Sequence, residues 1–249
     1  MHLCVNYLEE GVRQLLEGRQ GLFESDRPDA LLEGRYRFSE NGKLDTEDSA
    51  KMLCALLNRY CNEIELFNPA YGLVSVKDRV ELAVKHILDS LAPLGIIKQL
   101  ISGCRFPRIA DVGSGAGFPG IPLALALPDV SFTLIERMGR RAGFLRNTAA
   151  VLPLPNVEVL ESTAEQAPPE IADIVCFRAL RPLEPKILRV LFRLLKPGAW
   201  LAAYKGRRET ILTEISPLSL TQQNAEWRVI PCRVPFLDDE RNLLLIKKR

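Results

Sequence analysis

From residue 107 onward the chain alternates short apolar runs with helical segments, and the first of these runs ends in a glycine-rich turn. No other feature constrains the fold as tightly. Arg108-Ile109-Ala110-Asp111-Val112 reads as a short buried strand, Gly117 to Leu127 as a helix, Val130 to Glu136 as a second strand and Arg140 to Val151 as a helix. Val157 to Leu160 reads as a third strand, Ile171 to Phe177 as a fourth, Leu183 to Leu195 as a helix and Ala199 to Lys205 as a fifth strand. Trp227 to Val234 and Asn242 to Lys248 read as closing strands. This βαβα rhythm predicts an α/β fold with a doubly wound, mostly parallel sheet. Only Pro235 to Arg241 separates the last two strands, too little for a crossover helix. A hairpin there puts an antiparallel C-terminal strand in the sheet.

The first 90 residues read as helices. Leu3, Tyr7, Gly11 and Leu15, with Leu8, Val12 and Leu16, recur at helical spacing. After a loop rich in Gly, Asp and Pro, Asp45-Thr46-Glu47-Asp48 opens a long helix whose apolar stripe is Met52, Leu53, Leu56, Leu57, Tyr60 and Ile64. Asn68-Pro69 is expected to end it. Asp78 begins another helix, running to about Leu94. The division expected is a helical region over residues 1–100, packed on a ligand-binding α/β domain over residues 101–249.

Composition narrows the class. Hydrophobic residues make up 47% of 249, enough for a substantial core, and no apolar run approaches the roughly 18 residues that span a bilayer. The first residues, Met1-His2-Leu3-Cys4-Val5-Asn6, lack a basic leader segment and are followed by Glu9 and Glu10, so a cytoplasmic location is expected. None of the six cysteines forms a CxxC pair, and His2 and His86 lie far apart, so no metal site is expected. Residues 1–90 hold 11 Lys/Arg against 16 Asp/Glu, whereas residues 91–249 hold 22 against 15. The basic part is the part with the glycine-rich turn, which favours a polyanionic partner there.

The turn reads Asp111-Val112-Gly113-Ser114-Gly115-Ala116-Gly117-Phe118-Pro119-Gly120. A strand ending in Asp, then GxGxG, then a helix brings backbone close to a ligand. The dinucleotide fingerprint needs a third glycine where helix and strand touch, and Phe118 holds that place here. A P-loop is excluded because no Gly-Lys-Ser/Thr follows. What fits is a cofactor with a ribose and a charged amino-acid tail but no phosphate. Gly113, Gly115 and Gly117 let the backbone approach such a tail, and Asp111 orders the amides of the loop from below. Glu136, at the end of the next strand, offers a carboxylate to a ribose diol. Ala164 and Glu165 follow the third strand, where an adenine edge would lie.

These residues resemble the bacterial glucose-inhibited division protein B family. Gly-Phe-Pro-Gly-Ile-Pro, at 117–122, is far more specific than GxGxG. Four further segments agree in order and spacing: Lys85-His86-Ile87-Leu88-Asp89-Ser90, Gly139-Arg140-Arg141 with Phe144-Leu145-Arg146, Arg178-Ala179, and Lys196-Pro197-Gly198 with Tyr204-Lys205-Gly206. The resemblance runs from about residue 45 to the C-terminus. It implies a class I (Rossmann-like) methyltransferase that uses S-adenosyl-L-methionine to methylate N7 of a guanine in 16S ribosomal RNA of the small subunit. It places cofactor contacts on Gly113, Phe118, Ala164, Glu165 and Arg178. Members usually carry Lys-Arg where this chain has Arg140-Arg141, an Arg where it has Gly143, and an Asn where it has Gly72.

Guanine N7 attacks with an in-plane lone pair and carries no proton, so the chemistry implied needs no general base. Other base methylations need features missing here. Amino-group transfer commonly uses a (D/N/S)PP(Y/F) segment after the fourth strand, and Cys176 lacks the preceding proline of C5 nucleophiles. Arg178 and Lys205 end the fourth and fifth strands, on the side where open α/β sheets bind ligands, and are the candidates for positioning the guanine. An arginine can span O6 and N7 of guanine, but N7 must stay free to react, so O6 is the contact expected. Arg140, Arg141, Arg146, Lys205 and His86 are the candidate RNA contacts. The residues alone also leave open a methyltransferase for a small molecule or protein, and an RNA-binding regulator that holds the cofactor without turnover.

Overall fold

The computed structural model describes residues 2–17, 46–179, 182–218 and 225–249. The Gly-, Asp- and Pro-rich stretch expected ahead of the second helix, with Asp45, lies outside the described residues. Helices α1 (His2–Glu17) and α2 (Thr46–Tyr71) come first. One helical rod then comprises α3 (Arg79–Leu82), a π-helical turn (Ala83–Leu88) and α4 (Asp89–Leu91), followed by α5 (Leu94–Ile101). The alternating part is β1 (Arg108–Val112), α6 (Gly120–Ala126), β2 (Ser131–Glu136), α7 (Gly139–Val151), β3 (Val157–Glu161) and β4 (Ala172–Arg178). It continues with α8 (Pro185–Leu194), β5 (Leu195–Lys205), α9 (Arg208–Ile215), β6 (Trp227–Pro231) and β7 (Asn242–Lys247).

The seven strands form one sheet in the order β3-β2-β1-β4-β5-β7-β6. Strands β1 to β5 run parallel, and β7 runs antiparallel to both β5 and β6. The chain leaves β1 in one direction towards β3 and returns through β4 in the other. The carboxyl ends of β1 and β4 therefore flank the crevice where such sheets take their ligands.

The two faces of the sheet follow from side-chain alternation. Ile109, Ile174, Cys176, Ala202, Tyr204, Leu243 and Leu245 belong to one core, together with residues of α1 to α7. Ala110, Val175, Phe177, Leu201, Ala203, Leu244 and Ile246 belong to the other, with α8 and α9. Central strands buried on both faces carry apolar side chains at odd and even positions alike, which is why they read as continuous hydrophobic runs. The N-terminal helices share their apolar cluster with the sheet: Leu8, Leu57, Ile87 and Phe132 lie in the same core.

Several sequence expectations are corrected. Helix α2 does not stop at Asn68-Pro69 but continues to Tyr71, with Pro69 inside it. It ends at Gly72, whose φ is +58° and whose N–H donates to Asn68 O at 2.9 Å. Asparagine tolerates that left-handed conformation better than other residues with a side chain, so Asn and Gly exchange here without a change of backbone. The helix expected over Gly117 to Leu127 starts at Gly120, because positive φ at Gly113, Gly115 and Gly117 keeps the preceding loop out of helix. The helix expected from Asp78 to Leu94 contains the π turn and breaks before α5. Asp78 does cap it, accepting from Glu81 N at 2.8 Å. Strand β5 starts at Leu195 rather than Ala199, and helix α9 had no counterpart in the sequence reading.

Candidate active site

The loop after β1 folds against the end of β2. Gly113 N and Ser114 N both donate to Ile135 O, at 2.8 and 3.2 Å. Gly115 N donates to Glu136 Oε2 at 2.9 Å, and Met138 N donates to Glu136 Oε1 at the same distance. The buried Glu136 carboxylate thus ties the glycine loop to the turn after β2. Below the loop, Asp111 Oδ2 accepts from Gly120 N at 3.0 Å, and Ser114 Oγ donates to Asp111 O at 2.9 Å. Asp111 is fully buried, and burial pushes its carboxyl up to about 7, against the opposing pull of the Gly120 N–H.

The three loop glycines do different work. A Cβ on Gly115 would meet nothing closer than Gly113 O at 3.8 Å, so this glycine presents open space to a ligand. A Cβ on Gly117 would stand 2.6 Å from Ile121 Cγ1 and 2.8 Å from Tyr60 Oη. Gly117 is therefore packed against the protein, and a side chain there has no room. The close helix–strand contact expected at the Phe118 position belongs to Gly120. Its Cβ would lie 2.4 Å from Leu134 Cδ2 and 2.7 Å from Asp111 Oδ2.

Phe118 instead centres an aromatic and cationic cluster. Its ring packs against Tyr60 at 5.5 Å and His86 at 5.1 Å, and the Arg178 guanidinium lies 4.9 Å from its centroid. Tyr60 Oη donates to Ala116 O at 2.5 Å, fixing the loop from α2. Arg178 at the end of β4 is held from three sides. Nη1 donates to Lys85 O and to Asp89 Oδ2, each at 3.0 Å, and Nη2 lies 2.6 Å from His86 Nδ1. Asp89 Oδ1 in turn faces Arg241 Nε at 3.3 Å, so this carboxylate bridges two arginines. Burial pushes the Asp89 carboxyl up, while the two cations oppose that shift. Burial and the Arg178 cation push His86 down to about 4, so its ring is neutral at ordinary pH.

Lys205 at the end of β5 is paired as well. Its Nζ donates to Glu214 Oε1 at 2.6 Å and lies 5.5 Å from the Phe177 ring. The same Glu214 oxygen accepts from Leu183 N. Neither Arg178 nor Lys205 is a free surface cation. A cleft of about 460 Å³ opens beside them, with His86, Tyr204 and Arg241 also on its walls.

The remaining predicted residues are scattered around this edge. The Ala164 and Glu165 carbonyls both accept from Arg193 Nη2 at 2.9 Å. On α7, Arg140 is exposed, Arg146 pairs with Glu161 at 2.9 Å, and Arg141 Nη1 lies 4.0 Å from the Cβ position of Gly115. Cys176 is fully buried on the face covered by the N-terminal helices, with its thiol pushed far up by burial, which removes it as a nucleophile. Sequence reasoning missed Tyr60, Asp89 and Arg241. Asp89 and His86 stood in one quoted segment three residues apart, and that spacing was the available sign that they share a face.

The residues fit a cofactor with a ribose and an amino-acid tail. Asp111 Oδ1 is buried with no hydrogen-bond partner, Gly115 leaves open space at the loop, and each Glu136 oxygen has spent one lone pair on a backbone N–H. A mostly parallel seven-stranded sheet with this turn after β1 and this acid after β2 defines a class I, S-adenosylmethionine-dependent methyltransferase. Magnesium protoporphyrin IX methyltransferase from Synechocystis PCC 6803, solved with bound SAM, has the same fold. Its TM-score is 0.51 at 15% identity over 78% of this chain and 96% of that one.

The family model for rRNA small subunit methyltransferase G (GidB) matches residues 53–243, and the chain belongs to that family. Ribosomal RNA small subunit methyltransferase G from Treponema denticola is 39% identical over 229 residues, 81% of this chain and 89% of the relative. Its counterpart from Treponema pallidum is 41% identical over 202 residues, 80% and 86% of the two chains. That from Pectobacterium carotovorum is 36% identical over 193 residues, 77% of this chain and 88% of the relative.

Proposed function

We propose that this protein methylates N7 of a guanine in 16S ribosomal RNA of the small subunit, in the cytoplasm, with S-adenosylmethionine as donor. The observation that carries this reading is the family match over residues 53–243, which takes in Asp111, Glu136, Arg178 and Lys205 at one edge of the sheet. Residues 101–249 form the cofactor-binding domain, and the described helices within residues 1–100 pack on it. When bound, the cofactor supplies an electrophilic methyl group on a sulfonium, and guanine N7 has the lone pair to accept it.

The protein's own groups bind and orient. Glu136 receives the ribose hydroxyls, and Gly113 and Gly115 admit the amino-acid tail beside Asp111. Gly117 and Phe118 hold the loop in shape, while Ala164 and Glu165 border the base of the cofactor. Lys205 and His86 border the guanine, and Arg178 sets its position through the side chains that it holds. Arg140, Arg141 and Arg146 on α7 meet RNA phosphates. N7 carries no proton, so the residues have none to remove; their work is alignment, with reacting atoms about 3–3.5 Å apart.

A transfer assay with tritiated methyl donor tests this on small-subunit particles and on free 16S rRNA. Label in RNA that yields strand scission at N7-methylguanine is expected. Label confined to protein or small molecules, or cofactor binding without transfer, refutes the reading.

A further inference from the structure

Arginine donates hydrogen bonds and accepts none, and this fixes the chemistry of its neighbour. His86 Nδ1 lies 2.6 Å from Arg178 Nη2, so Nδ1 must carry a lone pair and the ring proton must sit on Nε2. The arrangement is rigid. Arg178 is anchored by Asp89 Oδ2 and Lys85 O, and its guanidinium and the His86 ring both rest on Phe118. The π turn at Ala83–Leu88 carries both Lys85 and His86 to this edge, and such turns cluster at functional sites. His86 also lines the cleft beside the ends of β4 and β5.

We infer that His86, not Arg178, reads the target base: its Nε2–H donates to guanine O6 in the cleft, while Arg178 is a positioning residue that locks the tautomer. This rests on the reading of the protein as a guanine-N7 methyltransferase. Guanine presents an acceptor at O6 next to N7, whereas adenine presents an amino donor there. A donor locked in place meets the first as a partner and the second as a clash of two donors. The three hydrogen bonds of Arg178 to Lys85, Asp89 and His86 leave it poorly suited to swing onto the base.

Two measurements test this. The sequence has two histidines, so nitrogen-15 spectra of histidine-labelled protein resolve His86 once His86→Gln identifies its signal. A neutral ring protonated on Nε2 is expected, and a ring protonated on Nδ1 overturns the inference without any assay of activity. The second measurement crosses wild type and His86→Leu with rRNA carrying guanine or 2-aminopurine at the modified position. 2-Aminopurine keeps N7 and lacks O6. On guanine, His86→Leu is expected to lower kcat/KM roughly tenfold to fiftyfold, the range for one lost base contact. His86→Gln, whose amide both accepts from Arg178 and donates onward, is expected to recover most of that loss. On 2-aminopurine, His86→Leu should lose nothing further. Losses that multiply across the two changes overturn the inference alone. Absence of transfer by wild type to either RNA overturns the proposed function and this inference with it.

Discussion

Replacing Gly115 and Gly117 one at a time by alanine separates the ligand cradle from the packing beneath it. Gly115 sits at φ +57°, within the left-handed well, and its new methyl meets only Gly113 O at 3.8 Å and Arg141 Nη1 at 4.0 Å. The expected loss of stability is the conformational term alone, about 1–2 kcal/mol. Gly117 sits at φ +101°, outside that well. Its methyl would lie 2.6 Å from Ile121 Cγ1, 2.8 Å from Tyr60 Oη and 3.1 Å from Leu145 Cδ2. All three neighbours are fully buried and have no free volume to retreat into. Backbone strain of about 1–3 kcal/mol and overpacking of about 1–3 kcal/mol add, giving roughly 2–6 kcal/mol.

For a chain of this size each kcal/mol shifts Tm by about 2–4 °C. Gly115→Ala should therefore melt about 2–8 °C below wild type, and Gly117→Ala about 4–24 °C below, with the larger fall always on Gly117→Ala. Cofactor affinity should separate them differently. Titration calorimetry with S-adenosylmethionine is expected to show at least about a tenfold loss for Gly115→Ala, because the methyl fills the side of the loop that faces the ligand. Ligand-free thermal melts and the titration together decide the matter. A Gly117→Ala protein with wild-type Tm, or two variants with equal falls in Tm, would refute the assignment of packing to one glycine and approach to the other.

Two further outcomes are expected. Asp111 has its folded pKa raised to about 7 from 3.8, so the stability it contributes is fully present below pH 3.8 and lost as pH rises through 7. Asp111→Asn removes that dependence and should gain about 2–3 kcal/mol relative to wild type between pH 5 and pH 8, measured by denaturant unfolding at both; a constant difference contradicts the raised pKa. Lys205→Ala should lower stability by about 3 kcal/mol as well as slowing transfer, because it strands the half-buried Glu214 carboxylate that also receives Leu183 N. Adding Glu214→Gln should recover Tm but not transfer, and recovery of both would make Lys205 purely structural.

The central strands were legible because each holds a short apolar run buried on both faces, whereas β3 and β6 are half-buried and carry Glu158 and Arg228 between their apolar residues. The glycine turn and the acid after β2 were legible because their chemistry is local: Asp111, Glu136 and the loop sit next to one another along βαβ. Three things were not. The helix end at Tyr71 was hidden because proline ordinarily stops a helix, whereas α2 runs through Pro69. The π turn leaves no mark in the periodicity, since one extra residue per turn shifts the stripe only slightly. The partners of Arg178 lie 89 to 93 residues away, and no spacing rule spans that distance.

That last gap changes what the catalytic edge is made of. Read along the chain, the ends of β4 and β5 offer two free cations, Arg178 and Lys205. Read in space, both are paired, one with Asp89 on α4, which it shares with Arg241, and the other with Glu214 on α9. On the proposed function the cleft gains from this, because a fixed donor distinguishes O6 from an amino group whereas a mobile cation is drawn to any phosphate. The N-terminal helices supply the fixing: Tyr60 from α2 on the loop, His86 from the π turn and Asp89 from α4 on Arg178. Since their apolar side chains merge into the same core as the sheet, loosening that core should disturb the pocket before it disturbs the cofactor cradle formed by β1 and β2. Ala at Leu57 or Ile87, both fully buried, tests this order. Transfer to RNA should fall by a larger factor than cofactor affinity, and equal losses would place the two sites under the same control.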